Sequence, residues 1–469
     1  MKILVAIANY GLKNQAYLQK LIDEYKSMNY SVDIVVLSNI PKELDPDIEV
    51  IVGLPAKNPW SLPFTHKRIF AERSRDYDLF IYSEDDILVK QKNIEAFLRV
   101  QAILPDDEIA GFLRYEENPI DPTLPVSMPD IHAYYHWLPN SVKSYGENVF
   151  AFFSNEHSAC YILTRKQLHK AIESGGYLVN PHEGRYDMLC TAATDPYTQC
   201  GFTKVICISQ IQDFLVHHLS NVYVGKTGIE SSEFELQLNA LLATNNNSRS
   251  RDTLFQTQTL LNTAKWDKLY YETCSNDVLE LIPTHSKNVL SVGCGWGATE
   301  VELIKRGMRV VGIPLDSVIV ESLKSRGIEV VYPDFDRAND VLKKEKFDCI
   351  LFNNVLQYLS EPVKILKEYI KLLEKEGHVV VNIPNFKYAK YLYEILKKEE
   401  LHKLKDGFDK TNLHRTVPKL VNKWFVQSGL KVVNAKYNIN NRFRNLVNMS
   451  LGLLKEYFAY EVVFAAKPS

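Results

Sequence analysis

At roughly 100–200 residues per domain, a chain of 469 residues is too long for one ordinary domain, and two or three are expected. Hydrophobic residues make up 46% and charged residues 24%, the globular average, which excludes a mostly disordered, collagenous or coiled-coil chain. The net charge of -2 is uneven: residues 1–230 hold 21 Lys+Arg against 29 Asp+Glu, net -8, and the remainder 34 against 28, net +6, so neither half has the basic surface of a nucleic-acid binder.

From the start, apolar runs of strand length alternate with helical periodicity. Strands are expected at Ile3–Ala8, Val32–Leu37 and Ile48–Val52, with helices at Ala16–Met28 and Pro63–Ser74. Met1–Ile7 reads as a buried first strand rather than a secretory leader. No apolar stretch reaches the roughly 18–20 residues of a membrane span. Seven cysteines, odd in number and without a C-x-x-C pair, imply reduced thiols in a cytoplasmic protein and no zinc site.

The continuous apolar run Asp78–Tyr82 leads into Ser83-Glu84-Asp85-Asp86, which puts a carboxylate cluster at the carboxyl end of a central strand, where open α/β sheets bind ligands. Mutual repulsion favours a hard divalent cation there, manganese or magnesium, with Glu84 and Asp86 as oxygen ligands. About 130 residues later His217 and His218 follow Phe214-Leu215-Val216, and one of them can add a nitrogen ligand, a mix suited to manganese. Strands at Ile109–Tyr115, Ala159–Leu163 and Lys204–Ile208 and the aromatic run Tyr134-Tyr135-His136-Trp137 lie between.

Residues 243–252 are polar and almost free of apolar side chains, so the seam is placed here: a first domain at 1–228, a linker at 229–262 and a second domain at 263–469. The pattern then restarts with strands at Asn288–Val292, Arg309–Ile313, Glu329–Tyr332, Asp348–Phe352 and His378–Ile383. Helices are expected at Thr299–Arg306, Val318–Arg326 and Pro362–Glu374, the last closed by Gly377. This is the reading of a doubly wound, Rossmann-like parallel sheet. Gly293, Gly295 and Gly297 stand between its first strand and first helix, where a missing Cβ lets backbone approach a ligand.

On this glycine loop and the segments Phe347–Leu359 and Val379–Asn385, the second half resembles the class I S-adenosylmethionine-dependent methyltransferases. The resemblance implies S-adenosylmethionine as cofactor, with Gly293, Gly295 and Gly297 under its methionine and ribose, Asp334 near the adenine and Asn353 at the methionine end. Two acids common in that family are replaced by Ser291 and Pro314, and Asp316 stands two residues after the latter as a substitute for the ribose contact. Within Asp409–Arg415, His414 occupies the region where related sugar methyltransferases carry substrate-facing residues, although a satisfied surface histidine is the more ordinary explanation.

On its acidic strand end and late histidines, the first half resembles the GT-A fold glycosyltransferases, with Glu84-Asp85-Asp86 as a variant of their acidic motif. That resemblance implies a nucleotide sugar donor, a glycan acceptor and a metal on the donor's diphosphate. It makes Asp187 or Glu183 the base that deprotonates the acceptor hydroxyl, Asn9-Tyr10 a nucleobase-contacting turn, and His66-Lys67-Arg68 an approach to the diphosphate. The joint expectation is a bifunctional transferase of surface glycan synthesis. The alternatives are a methyltransferase with a non-catalytic acceptor-binding first domain, or a carbohydrate-binding scaffold without catalysis.

Overall fold

The computed structural model describes all residues except 250, 252, 254–256, 262, 332–337, 339–340 and 398–406. The chain divides into two compact units, Met1–Asn246 and Asn247–Ser469.

The N-terminal unit is built on a five-stranded sheet in the order Cys160–Thr164, Leu79–Glu84, Lys2–Asn9, Ser31–Ser38, Glu49–Val52. All neighbours are parallel except the Cys160–Thr164 edge, which runs against Leu79–Glu84. The strand Lys2–Asn9 is buried along nearly its whole length, which is why it reads as an unbroken apolar run rather than an alternating one. Helix Gln15–Ser27 covers it with Leu18, Leu21, Ile22 and Tyr25.

A three-stranded sheet, Ile87–Leu88, Leu215–His218, Leu113–Tyr115, decides the geometry of the acidic strand end. Leu215–His218 pairs antiparallel with Ile87–Leu88, His218 opposite Ile87, so a residue 132 positions away is placed beside Asp86. A four-stranded sheet, Glu108–Ala110, Thr203–Cys207, Asn148–Phe153, Trp137–Tyr145, and a two-stranded pair, Ile229–Glu230 with Ser127–Met128, complete the unit.

The stretch 229–262 departs from the expected linker. Residues Ser231–Asn245 form a helix that buries Phe234, Leu238 and Leu241 in the N-terminal unit, with Phe234 stacked near Trp137. Apolar residues at these spacings give the helix a core face.

The C-terminal unit is a seven-stranded sheet in the order Glu329–Val330, Arg309–Pro314, Asn288–Cys294, Phe347–Asn353, Leu373–Pro384, Ala459–Pro468, Leu430–Ile439. The first five strands are parallel and Ala459–Pro468 runs against both its neighbours. The fifth strand begins earlier than its sequence suggests: the preceding helix is Pro362–Ile370, and Leu373 already pairs with Phe347. A register shift between Phe347 and Cys349 accommodates the extra residues. All seven cysteines are free, and among the described residues no helix is long and apolar enough to cross a membrane.

Candidate functional site

In the N-terminal unit the acidic strand end opens on a cavity of about 840 Å³ whose walls include Glu84, Asp86, His218, Arg185 and Asp187. Three elements converge here. The strand Leu79–Glu84 delivers the carboxylates, the strand Leu215–His218 delivers the imidazole, and the start of helix Met188–Thr198 delivers Asp187.

His218 is held at both ring nitrogens. Its Nε2 lies 3.1 Å from Asp86 Oδ2 and 2.9 Å from Ser220 Oγ, and its Nδ1 lies 2.6 Å from Glu116 Oε1. Burial works against the imidazolium, but the hydrogen bonds to Asp86 and Glu116 outweigh it and raise His218 to about 9. Burial likewise opposes the Asp86 carboxylate, and the contacts with His218 and Ser220 hold it below its ordinary range. Glu84 behaves differently: burial, then the charge of Asp86, push it up to about 8. Burial thus favours its neutral form while no cation is bound.

Asp85 turns to the other side of the strand end, where the side-chain amides of Asn9 and Asn14 donate to it at 2.6 and 2.8 Å. Burial still raises it to about 6.

Several expectations are corrected by these surroundings. His217 faces away from Asp86, stacks on Tyr115 with ring centroids 4.8 Å apart and lines a different cavity, because adjacent strand residues point to opposite faces. Glu183 is exposed and is absent from the cavity wall, whereas Asp187 is part of it. Asp187 also caps its helix, accepting from the Cys190 N–H at 2.9 Å.

His66 and Lys67 are buried. His66 stacks on Tyr82 and Lys67 forms an ion pair with Asp195, so neither reaches the cavity. Arg68 pairs with Glu72 on the helix surface. Of the aromatic run, Tyr134 and Tyr135 line the cavity while Trp137 packs on Phe153. Among the described residues no group of three or more His, Cys, Asp or Glu side chains is gathered as a metal cage. Glu116, buried behind His218, carried no sequence signal.

In the C-terminal unit the glycine loop follows the strand Asn288–Cys294 as expected. Gly293 and Gly297 have φ of +71° and +88°, the left-handed region that favours glycine. A Cβ on Gly295 would lie 2.3 Å from the Tyr270 carbonyl oxygen, and one on Gly297 would meet Ile328 and Leu323. At these two positions the missing side chain admits the protein's own chain. Trp296 N–H donates to the same Tyr270 carbonyl at 3.1 Å, so the segment around Tyr270 lies against the loop.

Asp316 is buried rather than open to a ligand: the Tyr270 hydroxyl and the Val318 N–H both donate to it, the latter at 2.8 Å. Burial raises it to about 6, against those hydrogen bonds. Asn353 belongs to a buried polar network. Its amide donates to Glu272 at 2.8 Å, its side-chain oxygen accepts from Asn382 at 3.0 Å, and its carbonyl accepts from Lys268 Nζ at 2.8 Å. Burial pushes Glu272 up to about 7, with Lys268 pulling the other way.

Ser291, standing where an acid is common, donates to Glu300 at 2.6 Å, so a carboxylate is supplied from one turn into the next helix. Asp334 lies outside the described residues. His414 is half buried, stacked on Phe408 with centroids 4.6 Å apart.

The cofactor test turns on buried polar atoms. Trp296 Nε1, Ser317 Oγ, Asn354 Oδ1 and Gln357 Oε1 are buried without a hydrogen-bond partner among the described residues. They follow the carboxyl ends of three adjacent parallel strands. Unpaired buried polar atoms are costly, and their grouping at the ligand-binding end of the sheet fits a polar cofactor there.

Residues 274–432 match the family model described as methionine biosynthesis protein MetW. The chain is similar to the ubiquinone biosynthesis O-methyltransferase of Coxiella burnetii, 23% identical over 184 residues, 38% of this chain and 78% of that protein. It is also similar to the enzyme of the same name from Aliivibrio fischeri, 27% identical over 124 residues, 25% of this chain and 53% of that protein. Solved structures with partial likeness include a SAM-dependent methyltransferase from Archaeoglobus fulgidus, at 14% identity and a TM-score of 0.30, covering 39% of this chain and 87% of that one. Another is from Methanosarcina mazei, at 13% identity and a TM-score of 0.32, covering 42% of this chain and 99% of that one. The C-terminal region is thus a SAM-dependent methyltransferase domain with a Rossmann-like sheet.

Proposed function

We propose that the chain is a bifunctional transferase, with O-methyl transfer in the C-terminal unit and glycosyl transfer in the N-terminal unit, acting on one glycan. The methyl-transfer reading is supported by the match over residues 274–432 together with the four unpaired polar atoms at the strand ends. S-adenosylmethionine, when bound, supplies a methyl group on a sulfonium. An acceptor hydroxyl would take that methyl group and give up its proton. Of the chain's own groups, the glycine loop and the Asn353–Glu272–Lys268 network would hold the cofactor's methionine end. The buried Asp316 would orient Tyr270 against the loop rather than meet the ribose.

One observation carries the glycosyl-transfer reading: Asp86 faces a single cavity with Asp187 and His218, both of which lie more than 100 residues later in the sequence. The 3.1 Å between Asp86 Oδ2 and His218 Nε2 is close to the spacing of neighbouring ligands, each about 2.1 Å from a hard cation. Glu116 on Nδ1 is the outer partner that fixes a ligating imidazole. Asp86 and His218 would hold a divalent cation in place of the proton that lies between them without it, and the ion would offset diphosphate charge. Lys13 and Arg185, also on the wall, bring positive charge of the chain's own to the donor.

In the transfer itself the acceptor oxygen bonds to the anomeric carbon, and the bond from that carbon to the diphosphate breaks with its electron pair on the leaving oxygen. The free oxygen of Asp187 takes the hydroxyl proton. Incubation of the full chain with nucleotide sugars and manganese tests this reading: hydrolysis or transfer should occur in the wild type and disappear in Asp86→Ala. Equal turnover in that variant would remove the Asp86 assignment, and a wild type without turnover would leave the N-terminal unit as an acceptor-binding domain.

A further inference from the structure

Between the last two strands of the C-terminal sheet, the chain leaves to form helix Asn441–Met449, a turn and a short helix Lys455–Phe458. The hairpin is held from within. Phe443 and Phe458 pack ring to ring at 4.8 Å, Val447 is buried, and Gly452 N–H donates to the Val447 carbonyl at 3.0 Å. Leu451 and Gly452 both take positive φ, 51° and 81°, to close the turn.

What this rigid hairpin carries outward is apolar. Met449, Leu451 and Leu453 are 82%, 92% and 82% exposed, and Leu446, Leu454 and Tyr457 are exposed beside them. Scattered exposed leucines need no explanation, but a contiguous tip of them marks an interaction surface. The hairpin is also net cationic: residues 441–458 hold Arg442, Arg444 and Lys455 against one acid, Glu456, which is paired with Lys387.

Two features choose the partner. The tip is a turn whose apolar side chains are almost wholly in solvent, so it suits insertion into a deformable surface. Its unpaired charge is positive, with Glu456 taken by Lys387, so a symmetric contact with a second copy would set like charges face to face. Apolar residues that enter an interface, basic residues that stay at the headgroups and a tyrosine at the boundary are the composition of interfacial membrane segments.

We infer that the 441–458 hairpin is a peripheral membrane anchor that inserts Met449, Leu451 and Leu453 into an anionic phospholipid surface. The inference is independent of the proposed reactions.

The test is co-sedimentation of the full chain with phosphatidylcholine vesicles, with and without phosphatidylglycerol, alongside light scattering of the free protein. The wild type should pellet with anionic vesicles and much less with neutral ones. Leu451→Asp combined with Leu453→Asp should weaken binding by at least about tenfold with unchanged thermal unfolding, since both side chains are in solvent. Arg442→Glu combined with Arg444→Glu should abolish the preference for anionic vesicles. A wild type that stays in the supernatant, or binding that survives both double variants, would overturn the inference. A free protein that self-associates and is dispersed by the leucine variant would also overturn it, assigning the tip to a second copy instead.

Discussion

His217 and His218 show how much a single strand position decides. One side chain stacks on Tyr115 at a separate cavity, and the other sits between Asp86 and Glu116. The expected outcome of alanine substitution is accordingly unequal. His218→Ala and Asp86→Ala should each abolish manganese binding read by electron paramagnetic resonance of the free ion, Glu116→Gln should weaken it by about 10- to 100-fold, and His217→Ala should leave it unchanged. Loss of binding in the His217 variant would show that the paired-ligand assignment is wrong. That a late histidine meets the acidic strand end is legible in the sequence from the carboxylate run and the His-His pair. Which of the two it is depends on the register between Leu215–His218 and Ile87–Leu88, and no local pattern carries that.

Lys67 is illegible for a related reason: lysines are almost never fully buried unless paired, and its partner Asp195 lies 128 positions away. Gly295 makes a second residue-scale case. Because its Cβ would collide with backbone at Tyr270, Gly295→Ala should destabilise the unit by about 1–3 kcal/mol even without any cofactor, measured by thermal unfolding. An unchanged midpoint would mean that the loop glycine serves a ligand alone. Glu272 gives a pH signature. Its carboxyl goes from an ordinary 4.5 to about 7 in the folded state, so between those values the folded chain keeps a proton that the unfolded chain has released. Stability should therefore fall as pH rises through that window, by on the order of 3 kcal/mol at most. Urea unfolding across the window should show a flatter profile for Glu272→Gln, and a slope identical to the wild type would contradict the assignment.

At the scale of elements, continuous apolar runs translate directly into the buried parallel strands of both sheets, and the strand–glycine loop–helix order into the start of the second sheet. The helix Ser231–Asn245 is the element most misread, because its neighbours Gly228 and the polar run 243–252 are both punctuation, and its own apolar residues are spread over few turns. Its partner Trp137 arrives from a strand roughly 100 residues earlier. The structure assigns the helix to the N-terminal unit, so a fragment ending at 246 should fold. One ending at 228 should lose the burial of Phe234, Leu238 and Leu241, at about 1.5–3 kcal/mol each, and expose their partners. Circular dichroism and solubility of the two fragments check this; equal behaviour would show that the helix contributes nothing to the unit.

For the molecule as a whole, the opposed charges of the two halves follow their chemistries as read here. An acidic unit carries the carboxylate-rich strand end proposed to hold a cation, and a more basic unit carries a glycine loop and the net cationic 441–458 hairpin. Tethering two transferases raises the concentration of one site's product at the other, which is the advantage a shared glycan would draw on. The N-terminal reading rests on the methyltransferase partner for its context, so cofactor binding is where the account stands most exposed. Calorimetric titration of the full chain with S-adenosylmethionine tests it most directly. The account predicts one saturable site with a dissociation constant between about 10 μM and 1 mM, since loop and strand-end contacts remain while the ribose carboxylate contact is taken by Tyr270. No heat of binding at millimolar cofactor would contradict the account.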